Sequence, residues 1–146
     1  MDWTTLSRLV LARHWTRFNA DQQAEFIKLF REHLSLTYSK AIEGYTDERL
    51  ALQGDREEAR GDWTVQTKIL RGGHSDDILI DYRLRKDDAG IWKIIDFIVE
   101  RVSLVANYRS QFQSVLGNDE PAKLLTLLRE KNSKGETFKA PGAPGA

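Results

Sequence analysis

The chain has 146 residues, the length of one domain, and its hydrophobic content of 40% is enough to form a core. Its 22 basic and 22 acidic residues cancel, which excludes a global field that would attract nucleic acid or an anionic membrane surface. The lack of cysteine excludes a disulfide framework and a thiolate zinc site. No apolar run approaches the roughly 20 residues of a membrane-spanning helix.

Two helices are predicted at the N-terminus. Apolar residues at helical spacing predict a first helix over Thr4–Trp15 and a second from about Ala20 to Glu43. Asn19 and Gln22 have the spacing of a capping box, which begins the second helix, and Gly44 ends it. Because its apolar side chains cover more than half of its circumference, the second helix is expected to be buried on two sides.

An antiparallel meander of about four strands follows, with an apolar and a polar face predicted by alternating residues. The strand segments are Arg49–Gln53, which is weak, Gly61–Leu70, Asp77–Lys86 and Ile91–Val99. The turns between them are the charged segment Gly54–Arg60, the pair Gly72–Gly73 and the hairpin signal Asp87–Gly90.

The last strand turns directly into a helix. Its residues are dense in β-branched and aromatic side chains, whereas the spacing from Val102 onward is helical and Ser103 is placed to cap the helix. Glu100 and Arg101 form the corner. A helix that leaves a strand in this way passes back across one face of the sheet and encloses a space there.

A final helix restarts after the break Gly117–Pro121. Residues 135–146 form a Pro/Gly/Ala-rich tail that is expected to be disordered, so the domain is residues 1–134. Runs of helices beside a run of strands predict the α+β class, with the helices on one face of a twisted, four-stranded antiparallel sheet that encloses an apolar pocket. This is a cone-like arrangement similar to the nuclear transport factor fold.

Motifs for catalysis or metal binding are weak. His14, His33 and His74 do not have the spacing of metal ligands, and His14 beside Trp15 is typical of a packed helix residue. The chain carries no phosphate-binding glycine loop, nucleophile elbow or zincin motif. No catalytic residue and no metal site are therefore predicted from these motifs.

Asp96 lies in the middle of an apolar strand, so its charge must be paired, hydrogen-bonded or suppressed. One interpretation is a structural acid, held by Arg, Lys or backbone amides, that fixes the strand against the helix of Tyr108. The other is a general base in a cone-like pocket, with Tyr82 or Tyr108 as the oxyanion donor, as in steroid isomerases.

Two stretches resemble the MlaC, or toluene-tolerance, family. At the N-terminus the resemblance rests on Arg13-His14-Trp15, Gln22-Gln23, Phe26, Phe30 and Thr37-Tyr38. In the strand and helix that follow it, it rests on Gly90, Trp92, Lys93, Asp96, Val99, Glu100, Val102, Ser103, Leu104, Val105, Asn107, Tyr108, Arg109 and Phe112. Ala12 and Arg101 depart from this pattern, because the family usually has glycine there. A positive φ at Arg101 would strain the corner.

This resemblance implies a periplasmic carrier that shelters phospholipid acyl tails in an apolar cavity. Such carriers move lipid between an outer-membrane lipoprotein–porin complex and an inner-membrane ABC-transporter complex, which maintains the lipid asymmetry of the outer membrane. It implies no enzymatic activity, no cofactor and no nucleic acid. A monomer with transient membrane proximity is expected.

Taken alone, the start of the chain indicates a cellular location other than the periplasm. Arg8 and Arg13 interrupt its apolar part, so it is not a secretory signal and indicates the cytosol. Family members carry a signal peptide and further helical sequence before the Arg-His-Trp segment. Met1 is therefore interpreted as the start of an N-terminally shortened chain or of a misplaced gene start.

The apolar face of the sheet is the predicted lipid site, although the residues alone do not distinguish a hollow interior from a filled core. The expected tail-binding residues are Phe30, Leu34, Trp63, Val65, Ile69, Ile78, Ile80, Tyr82, Leu84, Phe97, Leu104, Tyr108 and Phe112. Arg101 and Arg109 are the expected partner-docking residues. The alternative function is an isomerase-like or small-molecule-binding protein with Asp96 as base.

Overall fold

The computed structural model describes residues 1–43, 49–70 and 77–140, with backbone alone for residues 39–43. The helices are α1 (Trp3–Leu11), α2 (Ala20–Glu43), α3 (Leu104–Leu116) and α4 (Pro121–Lys134), with short 3₁₀ segments at Ala12–Arg17 and Ala59–Gly61. The strands are β1 (Arg49–Glu57), β2 (Trp63–Leu70), β3 (Ile78–Lys86), β4 (Trp92–Val99) and β5 (Val102–Ser103). The predicted turn at Gly72–Gly73, the helix stop at Gly44, and His74 lie outside the described residues.

The strands form one antiparallel sheet in the order β1-β2-β3-β4-β5. This confirms the α+β class and the meander, with four long strands and a two-residue fifth. β1 runs to Glu57, through charged residues that the sequence predicted to be a turn. Backbone pairing does not require apolar side chains, and an irregularity between Leu52 and Gly54 lets this edge strand continue.

Side-chain caps begin α2 and α3 as predicted. The Asn19 amide donates to Gln22 Oε1 at 3.0 Å, and the Gln22 amide donates to Asn19 Oδ1 at 2.8 Å. The Ser103 hydroxyl accepts from the Ala106 amide at 3.1 Å and starts α3. By contrast, α1 ends at Leu11, earlier than predicted, because Ala12 takes a φ of 50°.

The helices pack around a solid aromatic core. The Phe30 ring lies 5.1 Å from the Tyr108 ring and 5.7 Å from the Phe112 ring, both edge to face. Aliphatic side chains from α1 and α4 fill the space around these rings. Contacts between this core and the sheet are concentrated on β4, the strand that leads into α3.

The segment after α4 packs against the helices, where the sequence predicted a disordered tail from residue 135. Phe138 lies against the core, and Ala140 is 3% exposed. Asn107 Nδ2 and Gln111 Nε2 both donate to the Lys139 carbonyl, at 2.7 and 2.6 Å. The one aromatic residue of this stretch provides the burial that its Pro/Gly/Ala composition does not suggest. Residues 141–146 lie outside the described part of the chain.

Candidate functional site

The predicted tail-binding residues separate into two groups in the structure. The first belongs to the helices and lies in the solid core, where each side chain is at most 6% exposed. These residues are Phe30, Leu34, Leu104, Tyr108 and Phe112. Burial raises the pKa of Tyr108 to about 12, with a smaller opposing effect from the Thr37 hydroxyl. The first group therefore closes the space between the helices rather than lining an opening there.

The second group lies on one face of the sheet. Cross-strand pairs place Val65 opposite Tyr82 and Tyr82 opposite Phe97, so these three residues form a row across β2, β3 and β4. Parallel rows are formed by the pairs Trp63–Leu84 and Ile69–Ile78, and by Ile80 with Val99. All the predicted residues of this group are half-buried. The alternation predicted for β2 and β3 thus produces a continuous apolar surface that is not sealed into the core.

β1 extends this surface with two leucines that the site prediction did not include. Leu50 pairs with Ile69 and Leu52 with Thr67, and their exposed fractions are 63% and 70%. Their spacing of two residues within the weak strand places both leucines on one face, and this spacing could have included them in the predicted site. We define the apolar sheet face as Leu50, Leu52, Trp63, Val65, Ile69, Ile78, Ile80, Tyr82, Leu84 and Phe97.

Thr67 is the polar residue in the middle of the apolar sheet face. Its hydroxyl donates to the Ile80 carbonyl at 2.6 Å. Because the sheet itself satisfies this donor, the hydroxyl does not need a polar partner above the face. The surface can therefore accept an apolar ligand while the Thr67 hydroxyl keeps its hydrogen bond.

Phe97 joins the apolar sheet face to the helical core. Its ring lies 5.3 Å from the Tyr82 ring, edge to face, and it also packs against the buried helical side chains. The face therefore begins at this aromatic pair and becomes more exposed toward Leu50 and Leu52 on β1. A long apolar ligand on this face would contact the aromatic pair at one end.

Asp96 is held on the opposite side of the strand. Its Oδ1 accepts from the backbone amides of Phe97 at 2.8 Å and Val105 at 3.0 Å, and Oδ2 accepts from the Ser103 hydroxyl at 2.5 Å. Burial raises the pKa of Asp96, and these three hydrogen bonds oppose that rise. The carboxylate thereby ties β4 to the start of α3, as the structural interpretation expected.

The arrangement expected of a general base is not formed. Asp96 pairs with Arg83, whereas Tyr82 pairs with Phe97, so the carboxylate and the Tyr82 hydroxyl belong to opposite faces of the sheet. The other proposed donor, Tyr108, is buried in the helical core. Within the described residues, the hydrogen bonds of Asp96 go to Phe97, Ser103 and Val105 and to neither tyrosine of the predicted pair.

The two predicted docking arginines differ in their surroundings. Arg109 donates from Nε and Nη2 to the Leu9 carbonyl, at 2.9 and 2.6 Å, and so connects α3 to α1. Arg101 is exposed at the corner after β4 and has a φ of 69°, preceded by Glu100 at 49°. Arg109 thus has an internal bonding partner, whereas Arg101 presents its side chain to solvent.

The ring of His33 is neutral, because its Nε2 atom accepts a hydrogen bond from a backbone amide. His33 is 0% exposed, donates from Nδ1 to Asn132 Oδ1 at 2.8 Å and accepts at Nε2 from the Phe138 amide at 3.1 Å. Burial is the main reason that its pKa is lowered.

The described residues contain no group of three His, Asp or Glu side chains placed to hold a metal ion. None of the helices is long and apolar enough to cross a bilayer, as far as the described residues show.

The fold and the face together define a class of protein: an α+β domain with a solid helical core beside an antiparallel sheet whose apolar face is open. Its family follows from the sequence, because residues 1–130 match the model of the family described as MlaC protein. The chain belongs to this family.

Two known proteins are similar to this chain. A phospholipid-binding protein from Ralstonia solanacearum, whose structure was solved in complex with a phospholipid, has a TM-score of 0.82 and 24% sequence identity, over 92% of this chain and 74% of that one. The intermembrane phospholipid transport system binding protein MlaC of Haemophilus influenzae is 21% identical over 131 residues, which are 88% of this chain. The match spans 61% of that relative's length.

Proposed function

We propose that this chain is a phospholipid carrier that takes up acyl tails on the apolar sheet face. The observation that supports this most directly is the face itself, where leucines up to 70% exposed continue a surface of half-buried Ile, Val, Tyr and Trp side chains. A contiguous apolar surface of this kind marks a binding site in soluble proteins. The phospholipid named for both relatives supplies the matching ligand chemistry.

The energetics suit a carrier that must also release its ligand. Each methylene withdrawn from water contributes ~0.8 kcal/mol, so two long tails gain most of their binding free energy from apolar contact alone. Such contact needs no covalent step, no cofactor and no catalytic base. We therefore infer a non-enzymatic protein in which the headgroup stays near solvent.

The family assignment supports the wider role. We propose that the carrier works in the periplasm as a monomer, between an outer-membrane lipoprotein–porin complex and an inner-membrane ABC-transporter complex, in the maintenance of outer-membrane lipid asymmetry. It would touch the membrane only transiently and would not bind nucleic acid. Arg101 is the docking residue to test first, because its side chain is exposed whereas that of Arg109 is bonded to Leu9.

The test is lipid content measured by native mass spectrometry and solvent extraction. The wild type is expected to carry phospholipid, and Ile80→Trp is expected to lose most of it because the indole occupies the middle of the apolar sheet face. Leu70→Trp is the matched control, since Leu70 is exposed on the other face of the sheet. A wild type that carries no lipid from several expression hosts, or equal loading in Ile80→Trp and the wild type, would contradict the proposal.

A further inference from the structure

A cleft of about 470 Å³, separate from the apolar sheet face, lies between α1, the 3₁₀ segment that follows it, and β3. It contains Arg13 and Trp15 of the Arg-His-Trp stretch, for which tail binding gives no role. Arg85 also lines it and alternates with Leu84 along β3, so the cleft and the apolar sheet face belong to opposite sides of that strand. A volume of this size is within the usual range for small-molecule sites.

Three arginines are among the residues that line this cleft, Arg8, Arg13 and Arg85. Arg85 is held in place by Asp62, to which it donates from Nε and Nη2 at 2.8 Å each, so the Nη1 donors remain for another partner. Arg8 and Arg13 are exposed and form no ion pair within the described residues. The cleft thus has more positive than negative charge at its wall.

A carboxylate and a histidine lie near the cleft. Asp2 caps α1, where it accepts from the Thr5 amide at 2.9 Å and from the Thr5 hydroxyl at 2.7 Å, and its charge offsets part of the positive charge of Arg8 and Arg85. The pKa of His14 is lowered, first by burial and then by the positive charges of Arg13 and Arg17. An anion in the cleft would offset part of that positive potential.

Two carbonyls at the end of helix α1 accept hydrogen bonds from outside the helical ladder or from its cap. A helix C-terminus carries partial negative charge on its last carbonyls. Here Arg109 donates twice to the Leu9 carbonyl, and the Ala12 amide donates to the Arg8 carbonyl. These donors offset the negative end of α1 at the wall of the cleft.

Ala12 shapes the cleft through its backbone. Its φ of 50° and ψ of −125° are unfavourable for a residue with a β-carbon, and they turn the chain from α1 into the 3₁₀ segment. Local strain of this kind persists where the surrounding structure imposes it, and it is common at ligand sites. The turn places Arg13, Trp15 and Thr16 at the wall of the cleft, which Arg8 also lines.

We propose that this cleft is an oxyanion site for the phosphate group of a small organic ester. Guanidinium groups match the geometry and charge of a phosphate, and the Thr16 hydroxyl adds a neutral donor. Trp15 and Leu9 provide an apolar wall for the organic part of the ester. The phosphate can belong to a soluble ester or to a lipid headgroup, and the two sources are separated by experiment.

The test follows the backbone amides of residues 13–16 and the Trp15 indole by NMR during titration with phenyl phosphate. These signals are expected to shift and saturate with phenyl phosphate, to shift more weakly with inorganic phosphate, and to stay in place with phenol. Arg8→Gln and Arg13→Gln are each expected to raise the Kd for phenyl phosphate at least about tenfold, since each removes a charged hydrogen-bond donor. Arg129→Gln on α4 removes the same charge away from the cleft and is expected to leave the Kd unchanged.

Dihexanoyl phosphatidic acid, used below its micellar concentration with the Ile80→Trp variant, distinguishes the sources. Binding that Arg13→Gln weakens would identify a lipid headgroup, whereas binding of phenyl phosphate alone would identify a soluble ester. Absence of saturable shifts at residues 13–16, or equal affinity in Arg13→Gln and Arg129→Gln, would overturn the proposal. Co-purified lipid is a separate readout, and Arg13→Gln is expected to retain it, so failure of this site is distinguishable from failure of the carrier function.

Discussion

The helical core and the apolar sheet face have similar residue types but opposite packing. In the core, Phe30, Tyr108 and Phe112 are 0% exposed and contact one another through their rings. On the sheet, Ile80 and Tyr82 are only half-buried, although they lie in the middle of their strand. Apolar composition alone therefore does not indicate which surface is closed.

This molecule therefore separates the region that provides stability from the region that can bind a ligand. Close packing in the core gives many dispersion contacts and leaves no space for a ligand. A sheet face maintained by backbone pairing keeps its shape even where side chains lack neighbours above them. Substitutions in the two regions should consequently have different effects, on folding in one and on ligand binding in the other.

Truncation of a core side chain should reduce stability far more than truncation of a side chain on the sheet. Phe112→Ala should cost about 3–5 kcal/mol of unfolding free energy, because it leaves a cavity among aromatic rings. Ile80→Ala should cost less than about 1.5 kcal/mol, since the side chain is already partly exposed to water. Urea unfolding of both variants measures this contrast. Equal losses would show that the face is packed as tightly as the core.

A smaller effect concerns the pH dependence of the core. Because the folded state lowers the pKa of His33, unfolding binds a proton there, and stability should fall as the pH drops from about 6.5, the unfolded pKa, through the folded value. The slope contributed by one such group is at most about 1.4 kcal/mol per pH unit. In His33→Gln the glutamine side chain offers a donor and an acceptor but does not titrate. The stability of this variant should therefore depend less on pH than that of the wild type.

Urea unfolding at about pH 7.5 and about pH 5 measures the difference. His14 also has a lowered pKa and remains in the variant, so some acid loss should persist there. An unchanged pH dependence in His33→Gln would contradict the assignment of this effect to the core. Amide exchange at Phe138 would show whether the lost stability includes the docked C-terminal segment, because that amide donates to His33.

The smallest expected effect lies at the corner that joins the two regions. Arg101 has a φ of 69°, which glycine adopts without strain, so Arg101→Gly should stabilise the fold by up to about 1 kcal/mol. Val102→Gly is the matched control, because Val102 belongs to β5 and glycine there should destabilise. Thermal unfolding compares the two variants. A loss of stability in Arg101→Gly would show that the arginine side chain contributes more than its backbone strain costs.

Much of the fold could be predicted because its signals are local. The capping box at Asn19 and Gln22, the cap at Ser103 and the alternation along β2 and β3 each depend on residues close in sequence, and all are confirmed. The strained corner at Arg101 was also anticipated, from its departure from the family's glycine. Phe138 was missed because its burial depends on helices far away along the chain.

The class of fold, the family and the two faces of the sheet follow from the order of residues, since periodicity and short motifs are properties of neighbouring residues. Long-range packing is what makes Phe30 and Tyr108 fill a solid core while Ile80 stays half-buried, because burial depends on which distant elements meet. It also decided that Asp96 and Tyr82 lie on opposite faces, through the pairing of Asp96 with Arg83. The bond of Arg109 to Leu9 spans 100 residues of sequence, a separation that no local pattern reports.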